Sequence, residues 1–179
     1  MSALAELMAS IVESVKATLQ PDGTRGVDVK PLHCPMELAE LSRHFTAVPS
    51  VVVTMPEIKT GRPEGGVVVA DVAVAIYILT AGINPLVRND AALAIVEALL
   101  RVATSSRWGA PGVRPASDAS ARVIFADELD RKAAAIWELS FELQVDLPPA
   151  AGLNITPFDG ASVELEPVTG VDLGALGIA

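Results

Sequence analysis

The sequence predicts an α+β protein in which an antiparallel sheet carries its helices on one face. Patterns typical of helices (α) and strands (β) follow one another in the order α, β, short α, β, long β, α, β, long β. From Trp137 onward the last strand alternates strictly between apolar and polar side chains, which is the period of a sheet with one buried face. Strands joined by short loops pair in antiparallel fashion, and their apolar face needs a second layer to cover it. We therefore expect two layers, one of sheet and one of helices.

The helices are predicted from apolar residues at three- and four-residue spacing. Ser2 can cap the first helix, which runs to about Leu19. Asn89 can cap another long helix that covers residues 90–104. A short helix is expected over residues 35–45, with a proline near its first turn.

Five segments have the composition and period of strands. They are residues 27–32, 49–55, 67–82, 122–126 and 133–147. Pro31 suggests an edge position for the first strand, whereas the third is apolar on both faces and should be central. The polar stretch 56–66 is expected to be a loop, and so is the stretch 105–120, whose Trp108 should fill a gap in the core.

The alternation from Trp137 to Leu147 is the strongest pattern in the chain. Its six apolar side chains should contribute roughly 1.5–3 kcal/mol each when they pack against the helices. Glu138, Glu142 and Asp146 then form an acidic row on the other face. At about 3.3 Å per residue this stretch is longer than a small monomeric sheet usually needs, which suggests a partner on the second face.

Composition indicates one domain with an appendage. Of the 179 residues 51% are hydrophobic and the net charge is −9, so a sizeable core is expected and an open nucleic-acid-binding face is not. We expect an α+β domain over residues 1–147 and an extended arm over residues 148–179, which contain no Lys or Arg.

The first residues lack a basic signal-peptide region and no apolar run could span a bilayer. A soluble protein, made in the cytoplasm and without a membrane role, is therefore expected.

Residues with catalytic or metal-binding chemistry are few. Cys34 is the only cysteine, so no intrachain disulfide can form, and His33 and His44 beside it are too few for a zinc site. A Cys34–His44 nucleophilic pair has no other support in the sequence, and the acidic stretch 127–130 is better explained as a solvated hairpin turn. Glycine-rich phosphate loops are also missing. We expect no enzyme activity, no cofactor and no bound metal.

The order of the elements resembles one known family. An amphipathic first helix is followed by the strands "PSVVVTM" and "VVVADVAVAIYILTAG", the helix "RNDAALAIVEALL" and the closing strand "AAIWELSFELQVDL". Together, over residues 1–147, these elements resemble the tail terminator proteins of long-tailed bacteriophages, especially those of Mu-like phages and prophages.

That resemblance implies a structural protein of the virion. Its subunits would form a homo-oligomeric ring, a hexamer in the family. The ring caps the tail tube, stops its polymerisation and provides the surface for head joining. The implied partners are the tail tube protein and a neck or connector protein, and DNA would pass through the lumen without specific binding. The protein would be found in the tail or neck of the virion, and in the host cytoplasm during assembly.

Two other functional hypotheses are compatible with the sequence. A neck, head–tail connector or tail-completion protein could share the fold, and a small cytoplasmic ligand- or partner-binding module belongs to a different class. An enzyme that uses Cys34 or the acidic stretch 127–130 is least favoured.

The candidate interface residues lie on two hairpin tips and on the acidic row, because tips project from a sheet. They are Lys59, Arg62, Glu64, Asp127, Glu128, Asp130, Arg131, Glu138, Glu142 and Asp146. The arm, apolar but too short to form a core, is expected to lie on an adjacent protein.

Overall fold

The computed structural model describes residues 2–20, 26–32, 49–60, 67–105, 108–124 and 133–147. The elements in these ranges are α1 (Ala3–Leu19), β1 (Asp28–Leu32), β2 (Ser50–Thr60), β3 (Val68–Ala81), α2 (Pro85–Ser105), β4 (Ser117–Ile124) and β5 (Ala134–Leu147). Several predictions fall outside them. These are the short helix over residues 35–45, the residues His33, Cys34 and His44, the hairpin tips over 61–66 and 125–132, and the arm over 148–179.

The five strands form one sheet in the order β1-β2-β3-β5-β4. β3 is central and β1 lies at an edge, as the sequence predicts. Three of the four strand pairs are antiparallel, but β1 and β2 are parallel, so the sheet is mixed. The connection over residues 33–49 has the length that a parallel crossover requires. The predicted α+β class is confirmed, and the expectation of a wholly antiparallel sheet is wrong at this edge.

Both helices pack on the same face of the sheet and share one core. This core takes Leu7, Ile11 and Val15 from α1, and Val96, Leu99 and Ala103 from α2. The sheet contributes Val51, Val53, Val72, Val74, Ile76, Ile78, Leu139, Phe141, Leu143 and Val145. Burial of these side chains, at about 1.5–3 kcal/mol for each large one, holds the two layers together.

Helix α1 follows the sequence prediction closely. The Ser2 hydroxyl oxygen accepts a hydrogen bond from the Ala5 backbone N–H at 3.3 Å, and Ser2 is the N-cap residue.

On β5, Leu139, Phe141, Leu143 and Val145 are buried beneath the helices, which confirms the predicted alternation.

Helix α2 begins earlier than predicted. Its first residue is Pro85, a favoured first residue because its missing N–H would have had no partner there. The side-chain oxygen of Asn84 accepts from the Leu86 N–H at 3.0 Å, so Asn84 occupies the capping position. Asn89 therefore lies inside the helix, and the prediction that it caps α2 is wrong.

Strands β2 and β4 are both longer than predicted, and an irregularity explains each case. β2 continues beyond Met55 through Pro56 to Thr60, into the stretch predicted as a loop. The ladder shifts register between Thr54 and Glu57, so Pro56, which has no N–H to donate, sits at a bulge. β4 begins at Ser117, and a register shift between Ser117 and Ser120 interrupts the two-residue alternation from which a strand is predicted.

A candidate interaction face on the sheet

The face of the sheet opposite the helices, here called the open face, has two different ends. At one end Leu79 and Ile136 are buried, with Tyr77, Ile124 and Ala134 packed against them. The sequence predicts polar side chains on this face of β5 from Glu138 to Asp146, and the apolar end lies before that stretch. Ala134 and Ile136, the first two even-numbered positions of β5, are apolar, and the polar positions begin at Glu138.

The other end, here called the charged half-face, is formed by Glu57, Lys59, Asp71, Glu142 and Gln144. The register places Lys59 opposite Asp71, and Asp71 opposite Gln144. Residues two apart on one strand share a face, so Glu57 joins Lys59, and Glu142 joins Gln144. Strands β2, β3 and β5 thus bring together polar residues that are far apart in sequence.

Ion pairs and hydrogen bonds connect neighbouring side chains on the charged half-face. Lys59 Nζ lies 2.9 Å from Glu57 Oε2, and Gln144 Nε2 donates to Asp71 Oδ1 at 3.1 Å. Glu57, Lys59, Asp71 and Glu142 also line a shallow cavity of about 110 Å³. This cavity holds one ammonium group and three carboxylates, so its surroundings are acidic.

The acidic surroundings affect the protonation of Lys59. Its hydrogen bond to the Glu57 carboxylate raises the pKa of Lys59 above the ordinary lysine value, and the charges of Glu142 and Asp71 add to this effect. Lys59 is exposed, so water screens these interactions and their contribution to stability is small. These interactions favour the charged form of Lys59. Because three carboxylates surround one ammonium group, the cavity favours cations over anions.

Two arginines contact polar side chains on the open face of β5. Arg122 donates from Nε and Nη2 to Glu138 Oε2 at 3.0 and 2.8 Å, and this bond raises the pKa of Arg122. Arg114 Nη1 donates to Gln144 Oε1 at 2.9 Å, and its Nη2 lies 4.0 Å from Asp146 Oδ1. β4 and the loop before it therefore partly neutralise the acidic row of β5.

The candidate interface residues divide into two groups. The structure places Lys59, Glu138, Glu142 and Asp146 on the open face, and it brings Lys59 and Glu142 into the same cavity. The remaining six lie outside the described residues, namely Arg62, Glu64, Asp127, Glu128, Asp130 and Arg131. The interface role of all ten stays a prediction.

Five residues of this region are not among the sequence predictions. They are Glu57, Asp71, Arg114, Arg122 and Gln144. Asp71 has a sequence signal, because it is the only charged residue in the apolar segment 67–82. The other four become recognisable only once the strand register is known.

In the part of the chain that the structure describes, His, Cys, Asp and Glu side chains do not come together in groups of three that could hold a metal ion. Neither α1 nor α2 is long and apolar enough to cross a membrane.

Known proteins are similar to this chain in structure but not in sequence. No family model and no curated protein matches the chain. Among solved structures, the chain is similar to one described as "Virion of native gene transfer agent (GTA) particle", at 14% sequence identity and a TM-score of 0.42. The match covers 78% of this chain and 91% of the other.

Proposed function

We propose that this protein is a structural component of a tailed-phage virion, and specifically a tail terminator. In this role a ring of subunits caps the tail tube, ends its polymerisation and offers a surface for joining the head. The proposal is supported by the element order that carries the resemblance, because α1, β2, β3, α2 and β5 follow one another in that order in a two-layer fold. It assigns no catalytic residue, cofactor or metal.

The observation that carries the proposal is the charged half-face. Helices cover one face of the sheet, whereas on the other face Glu57, Lys59, Glu142 and Gln144 are exposed. Such a surface can line a water-filled lumen or contact another protein without exposing core residues. Its carboxylates repel phosphate, so DNA could slide past without being retained.

Ring assembly adds a second requirement. A ring with more than two subunits uses heterologous contacts, in which one patch binds a different patch on the next copy. The tail tube protein and a neck or connector protein would bind the two ends of this ring. The long strands β3 and β5 give each subunit the extended surface that these contacts need.

The test combines solution size with tail assembly. Size-exclusion chromatography with light scattering should show a ring-sized species, either alone or after addition of tail tubes. Electron microscopy of tails assembled without the protein should show tubes of uncontrolled length. Tails of normal length that fail only to join heads would instead indicate a neck protein of the same fold. A protein that stays monomeric with tubes and leaves their growth unchanged would refute the proposal.

A further inference from the structure

An apolar groove lies where the first turn of α1 meets the end of β5. Its volume is about 330 Å³, and its apolar lining includes Ala3, Leu7, Val67, Pro111, Val113 and Leu147. Two acidic residues, Glu6 and Asp146, also line it. Val67, which directly precedes β3, is 38% exposed. The apolar surface continues at Val68, the first residue of β3, which is 45% exposed and pairs with Leu147. Exposed apolar surface of this kind is available to contact an apolar segment of another chain.

The last strand that the structure describes, β5, ends at this groove. Leu147 is both a lining residue and the last residue of β5. Residues 148–179 follow, and after Pro148 and Pro149 comes the stretch "AAGLNITPF", residues 150–158, here called the proximal arm. The proximal arm has no charged residue, and the first acid after it is Asp159. An uncharged segment rich in apolar residues suits a groove whose floor is apolar and whose lining also includes two carboxylates.

The two prolines argue against docking in the same subunit. A residue before proline is restricted to extended backbone, and each proline has a fixed φ. The sequence Leu147-Pro148-Pro149 therefore favours extended backbone at its first two residues. Extended backbone there disfavours a tight turn back into the groove that Leu147 itself lines.

We propose that the groove binds the proximal arm of a second copy of this chain. The inference rests on the proposed ring, because each subunit must donate its arm to one neighbour and accept an arm from the other. This exchange is a heterologous contact, and it can close a ring. Leu153, Ile155 and Phe158 are the apolar residues available to fill the groove.

The test is disulfide trapping between differently tagged full-length copies. The native Cys34 is replaced by Ser in both, so that it cannot compete. One copy carries Val67→Cys in the groove and the other carries Ile155→Cys in the proximal arm. Mild oxidation should join the two tags, with a yield about tenfold above the control pair because docking raises the local thiol concentration. The control replaces Val67→Cys with Leu86→Cys, at a residue 74% exposed on α2.

A second pair of variants tests the groove surface. Val68→Asp should lower the trapping yield about tenfold, because it places a charge where the uncharged arm would bind. Leu86→Asp should leave the yield unchanged. Both positions are exposed, so the melting temperature should show that both variants still fold.

Light scattering and tail capping, measured on the same samples, show which proposal has failed. Rings that cap tails but give no disulfide between tags would overturn the arm exchange and leave the terminator role standing. A disulfide formed only within single chains of a Val67→Cys/Ile155→Cys double variant would also overturn it. Absence of both rings and capping would refute the proposed function, and the arm exchange with it.

Discussion

Trp108 is the largest fully buried side chain among the described residues. Its ring stacks on Phe141 with the centroids 5.2 Å apart and the planes 5° from parallel. Its backbone has a positive φ of 54°, and Gly109 follows with a φ of 65°. A left-handed conformation costs a residue other than glycine about 1–2 kcal/mol. The turn is retained because it directs the indole into the core.

Replacement of Trp108 by Ala should lower the free energy of unfolding by about 3–5 kcal/mol. The reason is that the change removes the stacked ring and leaves a cavity over Phe141. Urea denaturation measures the loss. Leu86→Ala, at a side chain 74% exposed, is the control and should change stability by less than about 0.5 kcal/mol. A loss below about 1 kcal/mol for Trp108→Ala would show that the ring is not a core element.

Tyr77 allows a second prediction at the residue scale because it is the only tyrosine. Burial raises its pKa above the ordinary value, Glu138 raises it further, and Arg122 opposes the shift. Glu138→Gln should therefore lower the pKa of Tyr77, while burial keeps it above about 10. Absorbance at 295 nm during an alkaline titration follows this group alone. Glu142→Gln on the same strand is the control and should not move the titration.

The raised pKa also predicts how stability depends on pH. Above the unfolded-state value of about 10, the unfolded chain releases the Tyr77 proton before the folded chain does. The stabilising contribution is complete below that pH and is lost as the pH rises through the folded-state pKa. Glu138→Gln should narrow the pH interval between the unfolded-state and folded-state pKa values of Tyr77, over which this stability is lost. A titration unchanged by Glu138→Gln would show that the carboxylate has no effect on the phenol.

At the scale of elements, the start of α2 distinguishes the structure from the sequence prediction. Asn84→Ala should cost about 0.5–2 kcal/mol, because it removes the side-chain oxygen that accepts from the Leu86 N–H. Asn89→Ala should be neutral or stabilise the protein by up to about 0.7 kcal/mol, because alanine is the better residue inside a helix. Urea denaturation of both variants measures the difference. The opposite ranking would mean that α2 begins at Asn89.

Sequence periodicity finds elements with a continuous buried face and misses the ends that lack one. The first turn of α2 exposes Leu86 and Val87, so no apolar stripe marks it. The outer half of β2 is exposed from Pro56 onward, and proline argues against a strand. By contrast, β3 and the core face of β5 are recognisable because burial controls their composition.

The charged half-face could be predicted only in part for a similar reason. Its Glu142 belongs to the acidic row of Glu138, Glu142 and Asp146, which follows from the period of one strand. The approach of Lys59 to Asp71 and of Asp71 to Gln144 depends on how three strands are aligned. A bulge shifts that alignment by a residue, and single-strand periodicity does not reveal it.

At the scale of the whole molecule, charge separates two roles for the open face. The double variant Glu57→Lys/Glu142→Lys reverses two exposed carboxylates that line the cavity around Lys59. If the face lines a lumen, rings should still form, because these side chains then lie away from the subunit contacts. The reversed face should also bind duplex DNA, and this binding should weaken steeply as salt rises from about 50 to 200 mM.

We expect that lumen result, because a protein with a net charge of −9 and carboxylates on the open face repels DNA as the proposed function requires. Light scattering and DNA retention at several salt concentrations measure the two effects. The control variant Glu13→Lys/Glu97→Lys makes the same change in net charge on the helices, at side chains 71% and 67% exposed. If only the open-face variant retains DNA, the binding arises from that surface rather than from total charge. Loss of the ring in the open-face variant alone would instead assign the charged half-face to the contact between neighbouring subunits.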